Sequence, residues 1–362
     1  MGLKCGIIGL SNTGKTTLFN CVANTKVQNQ PGIQKANIGQ IDVPDERLFE
    51  IDKLIHSARI VHATVDLVDI PGLSKGSGQA DSGASRFLAD IQQTDALIHV
   101  IRCFDSDTVP HIEGSVNPVR DKEIVDLELC IRDLNLIERK IQRTDKLLKV
   151  GDKEARKIME VLQVYKKHLE DFKPARTAPV QDEDRRYISE LSLITDKPVI
   201  YVCNVDDGSA VNGNSYVEEF RNSLRDENAE VLWLAAELEA EIAELDNSDD
   251  RKAFLEDAGL SQPGVNKVVQ AAYRLLNLQS FFTAGPKEVR AWTIHKGMTA
   301  PQAAGVIHSD LERGFIRAEV MKYSDFILYK SEHACRDAGK LSIEGKNYVI
   351  GDGDILNIRF NV

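Results

Sequence analysis

The sequence predicts an α/β fold: a sheet flanked by helices, interrupted by a coiled-coil helical insert and followed by a small β-grasp-like module. Three observations carry that expectation. Short apolar runs of strand length recur between residues 3 and 234, separated by polar or helical stretches. A glycine-bearing octapeptide, Gly9-Leu10-Ser11-Asn12-Thr13-Gly14-Lys15-Thr16, lies between the first such run and a helix start. From Arg120 to Phe172 the apolar spacing becomes helical, and residues 283–362 then carry a strand–helix–strand pattern of their own.

Leu3 to Ile8 reads as a buried strand, and Thr17-Leu18-Phe19-Asn20 can start a helix. Between them the octapeptide fits G-x-x-x-x-G-K-[ST] without a mismatch. Backbone N–H groups of a loop that opens into a helix N-terminus face an anion, and the helix dipole adds partial positive charge. Asn12, Thr13, Gly14, Lys15, Thr16 and Thr17 therefore form a candidate triphosphate cradle. Lys15 would neutralise the β- and γ-phosphates and Thr16 would offer its hydroxyl to Mg²⁺. Ala23 to Gly39 stands in the place of a first switch, but Asn29 to Lys35 contains no Thr or Ser.

Val61 to Ile70 is the next strand and ends in Asp69-Ile70-Pro71-Gly72. A carboxylate at a strand end can hold Mg²⁺ through water, and the Gly72 N–H can meet a γ-phosphate. Gly72 to Gly83 is glycine-rich and expected to order with nucleotide. Leu97 to Ile101 is a buried strand in which His99 reads as a packed core histidine. Two helices follow. The first has a heptad-like stripe at Ile124, Leu127, Ile131, Leu134, Ile137, Ile141 and Leu148, with Thr144 in the vacant position. After Gly151-Asp152 the second repeats at Ile158, Leu162, Tyr165, Leu169 and Phe172, making an antiparallel arm.

Lys197 to Asn204 returns to a buried strand and leads into Asn204-Val205-Asp206-Asp207, in the place of an N-K-x-D base reader. An aspartate there accepts from guanine N1–H and N2–H₂, which adenine lacks; Val205 replaces the lysine that packs on the base. Val231 to Leu234 is the last strand of the sheet, and Ala235-Ala236-Glu237 stands where a loop would touch the base. Asp246 to Asp257 reads as a solvated helix face, and Gln262 to Leu278 as a helix closing the domain. In the last module Val289 to Ile294 alternates like a strand, Thr299 caps a helix with Pro301 in its first turn, and strands follow at 348–350 and 355–360. The expected division is 1–118 and 186–282 for the nucleotide-binding domain, 119–185 for the insert and 283–362 for the final module.

Composition bounds the function. At 42% hydrophobic and 28% charged the chain reads as a globular protein of two or three domains. No run approaches 18 apolar residues, so no membrane association is expected. The first strand begins at once, leaving no leader peptide to expect. Six cysteines without a C-x-x-C pair read as reduced thiols in a cytoplasmic protein rather than a zinc site. The net charge of −11 argues against a general nucleic-acid coat, yet it is uneven. Residues 119–176 carry +3 and residues 283–362 carry +1, which permits local phosphate contacts.

Several stretches together resemble the YchF (Obg-like ATPase) family of P-loop nucleotide hydrolases. They include Lys4 to Leu10, Asn12 to Asn20, Val68-Asp69-Ile70, Arg102-Cys103-Phe104 and Tyr273 to Leu278. They continue through Phe282 to Gly285, Lys287 to Thr293, Ala300 to Gly305, Arg313 to Glu319 and Arg359 to Val362. The resemblance runs end to end. It implies an Obg-type nucleotide-binding domain, a coiled-coil insert and a C-terminal TGS domain. It also implies Mg²⁺-dependent hydrolysis of ATP in preference to GTP, and binding to the ribosome or its large subunit by a monomer in a regulatory role. The family's first switch carries a threonine that aligns near Gln34, whose amide oxygen is a poorer Mg²⁺ ligand. Its base reader is N-x-x-E, whereas this chain has Asp207, so a GTP-specific GTPase remains an alternative.

Ras-like enzymes orient the attacking water with a glutamine just after D-x-x-G. Leu73 occupies that position and cannot hydrogen-bond water. His111, in the polar loop from Asp105 to Gly114, is the candidate to replace it. Asn12 could help hold a K⁺ beside the phosphates. A nucleotide-binding scaffold with negligible hydrolysis is the rival reading, because Gln34 and Leu73 weaken the chemistry while Lys15, Thr16 and Asp69 keep it.

Overall fold

The computed structural model describes residues 4–23, 37–70, 88–225, 227, 229–245 and 247–361. The expectations at Gln34, Gly72 and Leu73, and those for the two switch segments, lie outside the described residues. The chain forms two compact units: residues 1–39 with 66–268, and residues 40–65 with 269–362.

One sheet, most of it in the first unit, is formed by β1 (Lys4–Ile8), β2 (Asn37–Asp42), β4 (Thr64–Asp69), β5 (Ala96–Arg102), β6 (Val199–Asn204) and β7 (Glu230–Leu234) in the order β2-β4-β1-β5-β6-β7. β1 runs parallel to β4 and β5, β5 to β6, and β6 to β7. Every residue of β5 and β6 is buried, which is why both read as unbroken apolar runs. Helix α1 (Lys15–Ala23) begins two residues earlier than the sequence suggested, inside the octapeptide itself. Two strands give the difference between expectation and structure here. β2 went unseen because Asn37 to Asp42 is mostly polar, and the expected strand 61–70 is shortened to β4.

The arm consists of α3 (Pro118–Lys149) and α4 (Lys153–Glu170). Asn117 caps the first through its side chain on the Arg120 N–H, with Pro118 next, and Asp152 caps the second. Its seam keeps most of the expected stripe, with Ile137, Thr144, Leu162, Tyr165 and Leu169 buried and Leu134, Ile141 and Ile158 packed against them, and departs from it toward the N-terminal end of α3. Leu127 and Ile131 are 38% and 46% exposed, whereas Asp121, Val125, Asp126, Leu129, Cys130 and Asp133 are buried. Apolar spacing could not find this face because three of its members are aspartates with partners. Asp133, for example, accepts the N–H groups of Ile194 and Thr195 and the Thr195 hydroxyl. Phe172, expected in the second stripe, is 59% exposed with a left-handed backbone that ends α4.

The second unit holds the sheet β11-β10-β12-β8-β9-β3, built from β3 (Ile60–Val61), β8 (Leu278–Ala284), β9 (Val289–His295), β10 (Phe315–Lys322), β11 (Leu341–Glu344) and β12 (Asp354–Phe360). Residues 40–65, assigned by sequence to the nucleotide-binding part, fold here. Leu48 and Ile51 of helix α2 (Glu46–Ile55) are fully buried, and β3 pairs parallel with β9. Arg47 bonds both Asp45 and Asp352. The expected helix 262–278 stops at Leu275, and Leu278 opens β8. Thr299 starts the next helix as expected, its N–H donating 2.8 Å to Gln302. The expected strand at 348–350 is only a single bridge between Val349 and Thr299.

Candidate nucleotide site

The phosphate loop leaves the C-terminal end of β1, where parallel strands with flanking helices place their ligands. Gly9, Asn12 and Gly14 all have positive φ, at 144°, 61° and 92°. Space as well as torsion requires the glycines. A Cβ on Gly9 would lie 2.4 Å from the Val100 carbonyl oxygen, and one on Gly14 would lie 2.3 Å from the Asn204 side-chain nitrogen. The loop closes on itself through Thr13 Oγ1, which donates to the Leu10 carbonyl at 3.1 Å. Lys15 Nζ donates to the same carbonyl at 2.5 Å.

Lys15 is fully enclosed, and that burial lowers its pKa to about 8, with nearby Asp69 pulling the other way. Thr16 Oγ1 donates to Asp69 Oδ2 at 3.1 Å. Burial raises the Asp69 carboxyl above its usual value, against the Thr16 hydrogen bond, the Lys15 charge and the Asn37 side chain. Its other oxygen, Oδ1, is buried without a hydrogen bond. A buried carboxylate with an orphaned oxygen beside a threonine hydroxyl is a donor set suited to a hard divalent cation. Sequence reasoning named Thr16 and Asp69 and missed Asn37, which lies on a strand it did not see.

Asn204, at the end of β6, is the hub of the base side. Its Nδ2 donates to the Thr13 carbonyl at 3.1 Å, and its Oδ1 accepts the Ala236 N–H at 2.9 Å. The structure therefore brings Asn204, Ala235 and Ala236 to the phosphate loop. Asp207 is exposed at the start of a single helical turn whose cap is Asp206. Val205 does not fit its expected place. Its side chain is 3% exposed and packs in the sheet core, so it cannot lie on a base. Thr17 is exposed on the first turn of α1.

His111 also departs from expectation. Its side chain is only 6% exposed, and both ring nitrogens are engaged. Nδ1 accepts the Glu113 N–H at 3.0 Å, so the proton sits on Nε2, which faces Asp121 Oδ2 at 2.8 Å. In this arrangement both nitrogens are taken by protein groups. His99, by contrast, is a core residue: it is buried in β5 beside the Tyr201 ring, and burial holds its pKa well below the usual range.

A family model described as a 50S ribosome-binding GTPase matches residues 4–205, which span β1 to the base-side loop. The YchF-GTPase C-terminal model, described as a protein of unknown function, matches residues 278–361. The "Ribosome-binding ATPase YchF" of Escherichia coli O157:H7 is 43% identical over the whole of both chains. The chain belongs to the YchF family. The protein of the same name from Bacillus subtilis is 41% identical over the whole of both chains. A solved YchF GTPase from Schizosaccharomyces pombe matches 99% of this chain and 98% of its own at 31% identity, with a TM-score of 0.85. Within the YchF fold, the residues that sequence reasoning overlooked act through the backbone. Pro110 and Asn214, with Arg102 of the Arg102-Cys103-Phe104 stretch, fix the loop beside the phosphate site, and neither Pro110 nor Asn214 was singled out from the sequence.

Proposed function

We infer that this chain is a Mg²⁺-dependent purine nucleoside triphosphatase that binds the ribosome in a regulatory role. The observation that carries the reading is the arrangement of Lys15, Thr16 and Asp69 under a loop whose N–H groups are set by Gly9, Asn12 and Gly14. A triphosphate seated there would restore full charge to Lys15 by replacing the solvation that burial removes. The N-terminus of α1 supplies further N–H donors to the same anion. Thr16 and Asp69 would hold the cation, Asp69 through water, and its charge would neutralise oxygens of the β- and γ-phosphates. Asn204 locks the base-side loop to the cradle, so base and phosphates are read by one connected frame. A ribosomal partner, and with it a cytoplasmic address, is supported by the names of the bacterial relatives. Among the described residues no helix is long and apolar enough to cross a membrane.

ATP is the preferred substrate on this reading, as the names of those relatives support. A second reading, GTP, is favoured by the exposed Asp207 carboxylate, which can accept from guanine and not from adenine. Calorimetric titration of both nucleotides with Mg²⁺ decides between them. Single-turnover hydrolysis with and without ribosomes tests the whole reading. Loss of binding in Lys15→Ala supports it, and a parent protein that hydrolyses neither triphosphate overturns it in favour of a scaffold. K⁺ at Asn12 is retained as a proposal: its Oδ1 is the atom that would coordinate, and equal turnover in K⁺ and Na⁺ buffers removes it.

A further inference from the structure

We propose that Glu237 is a specificity-determining residue of the nucleotide site, whose carboxylate reads the 6-position of the purine. The inference rests on reading the phosphate loop and the loops around Asn204 as a triphosphate site. β7 ends at Leu234, and the chain turns through Ala235 into the helix Ala236–Glu244. That turn packs directly on the cradle. A Cβ added to Gly14 would lie 3.7 Å from the Ala236 methyl carbon. The Ala236 N–H is held by Asn204 Oδ1 at 2.9 Å, and the Ala236 carbonyl accepts from the Cys21 thiol of α1 at 3.9 Å. Asn204 is itself tied to the Thr13 carbonyl at 3.1 Å. Residue 237 therefore leaves a peptide whose place beside the phosphate loop is fixed on both sides.

The first turn of this helix carries two carboxylates with different fates. Glu239 is buried and accepts the N–H groups of Gly264 and Val265 at 2.5 and 3.4 Å. Glu237 is exposed, and among the described residues nothing forms a hydrogen bond or ion pair with it. An acid in a first turn gains from the helix dipole, but that gain is indifferent to which base is bound. Its chemistry toward a base is not indifferent. An ionised carboxylate offers only acceptors. Adenine presents an amine at C6, which donates. Guanine presents a carbonyl oxygen there, which can only accept and is repelled. Across the base, the exposed Asp207 carboxylate matches the N1–H and 2-amine of guanine instead. The two acids favour different purines, and Glu237 supplies the repulsive element against GTP.

Inosine triphosphate separates the two edges, because it carries the 6-oxygen of guanine without the 2-amine. Dissociation constants for ATP, inosine triphosphate and GTP, each with Mg²⁺, are measured by calorimetry on the parent, Glu237→Ala and Glu237→Gln. The parent should bind ATP at least about fivefold more tightly than inosine triphosphate. Both variants should bring that ratio within about twofold. The glutamine does so because its amide can turn either a donor or an acceptor to the base. The ratio of inosine triphosphate to GTP, which Asp207 sets, should move less than about twofold. A carboxylate that merely repels the triphosphate would tighten all three nucleotides equally on removal, and an unchanged ratio of ATP to inosine triphosphate overturns the proposal. So does a parent that does not distinguish those two. A parent that binds none of the three removes the reading of the site, and this inference with it.

Discussion

Two loops leave the sheet of the first unit and meet at Asn12 and Pro110, and they are held by opposite means. The loop after β1 is shaped by its own backbone: two glycines and one asparagine take positive φ, and neighbours leave no room for a Cβ. The connector after β5, residues 103–117, is shaped by side chains: Arg102, Arg120, Asn214 and Tyr216 donate into it from outside, and its own His111 reaches out to Asp121. The difference teaches where a fold stores its specification. A backbone-determined loop writes itself into a short motif, and a side-chain-determined loop scatters its instructions over more than a hundred positions.

The comparison breaks most sharply at Gly14. Alanine there must adopt φ near 92° and push against the Asn204 amide that bonds the Thr13 carbonyl. Strain plus the lost bond should cost roughly 3 kcal/mol or more, equivalent to at least about a hundredfold in nucleotide affinity. Calorimetry on Gly14→Ala checks this. Binding within tenfold of the parent would mean that the loop relaxes, and that its geometry is less backbone-determined than argued.

The connector should respond in stability instead of affinity. Asp121→Ala leaves His111 and Arg120 without their buried acceptor, at a cost of about 2–4 kcal/mol. Urea unfolding should register that loss while the dissociation constant for nucleotide moves less than about threefold, because Lys15 and Thr16 are untouched.

The same contrast governs what could be read in advance. The strands β1, β5 and β6, the phosphate loop, Thr16 and Asp69 were legible because continuous apolar runs and a steric motif need no partner to be recognised. Asn204 was legible by its place after a strand. The arm's seam was legible at its apolar residues, Ile137, Leu162, Tyr165 and Leu169, but the buried Asp121, Asp126 and Asp133 were not, since charge on paper reads as exposure. His111 was misread for the same reason. A histidine in a polar loop looks free until Asp121 and the Glu113 N–H are seen to take both nitrogens. The placement of residues 40–65 in the second unit depends on β3 pairing with β9, a contact no local pattern announces.

A third prediction sharpens the contrast through pH. Burial would push the Glu227 carboxyl up, but Arg176 and Lys122 outweigh it and hold the carboxyl below its usual value of 4.5. Arg176 donates to Glu227 at 2.5 Å, and Tyr201 donates to the same oxygen at 3.0 Å. A carboxylate depressed by folding contributes stability that is fully present above the unfolded pKa. The contribution is lost as pH falls through the folded value. Stability should therefore drop as pH falls below about 4.5, and Glu227→Gln should flatten that acid limb. Parallel acid limbs in parent and variant would assign the loss to other carboxylates.

The smallest effect belongs to Tyr216→Phe. The Tyr216 hydroxyl donates to Asp105 at 2.9 Å on the exposed side of the connector, where water can replace it. The nearby brace from Asn214 Nδ2 to the Cys103 carbonyl, at 2.8 Å, stays in place. One partly solvated hydrogen bond should be worth about 0.5 kcal/mol, visible in urea unfolding and invisible in turnover. A loss above about 2 kcal/mol would mean that the connector's braces act as one cooperative unit instead of separately. In that case the two loops differ less than their hydrogen bonds suggest, because removing any single brace would release the whole segment, as removing a glycine deforms the whole cradle.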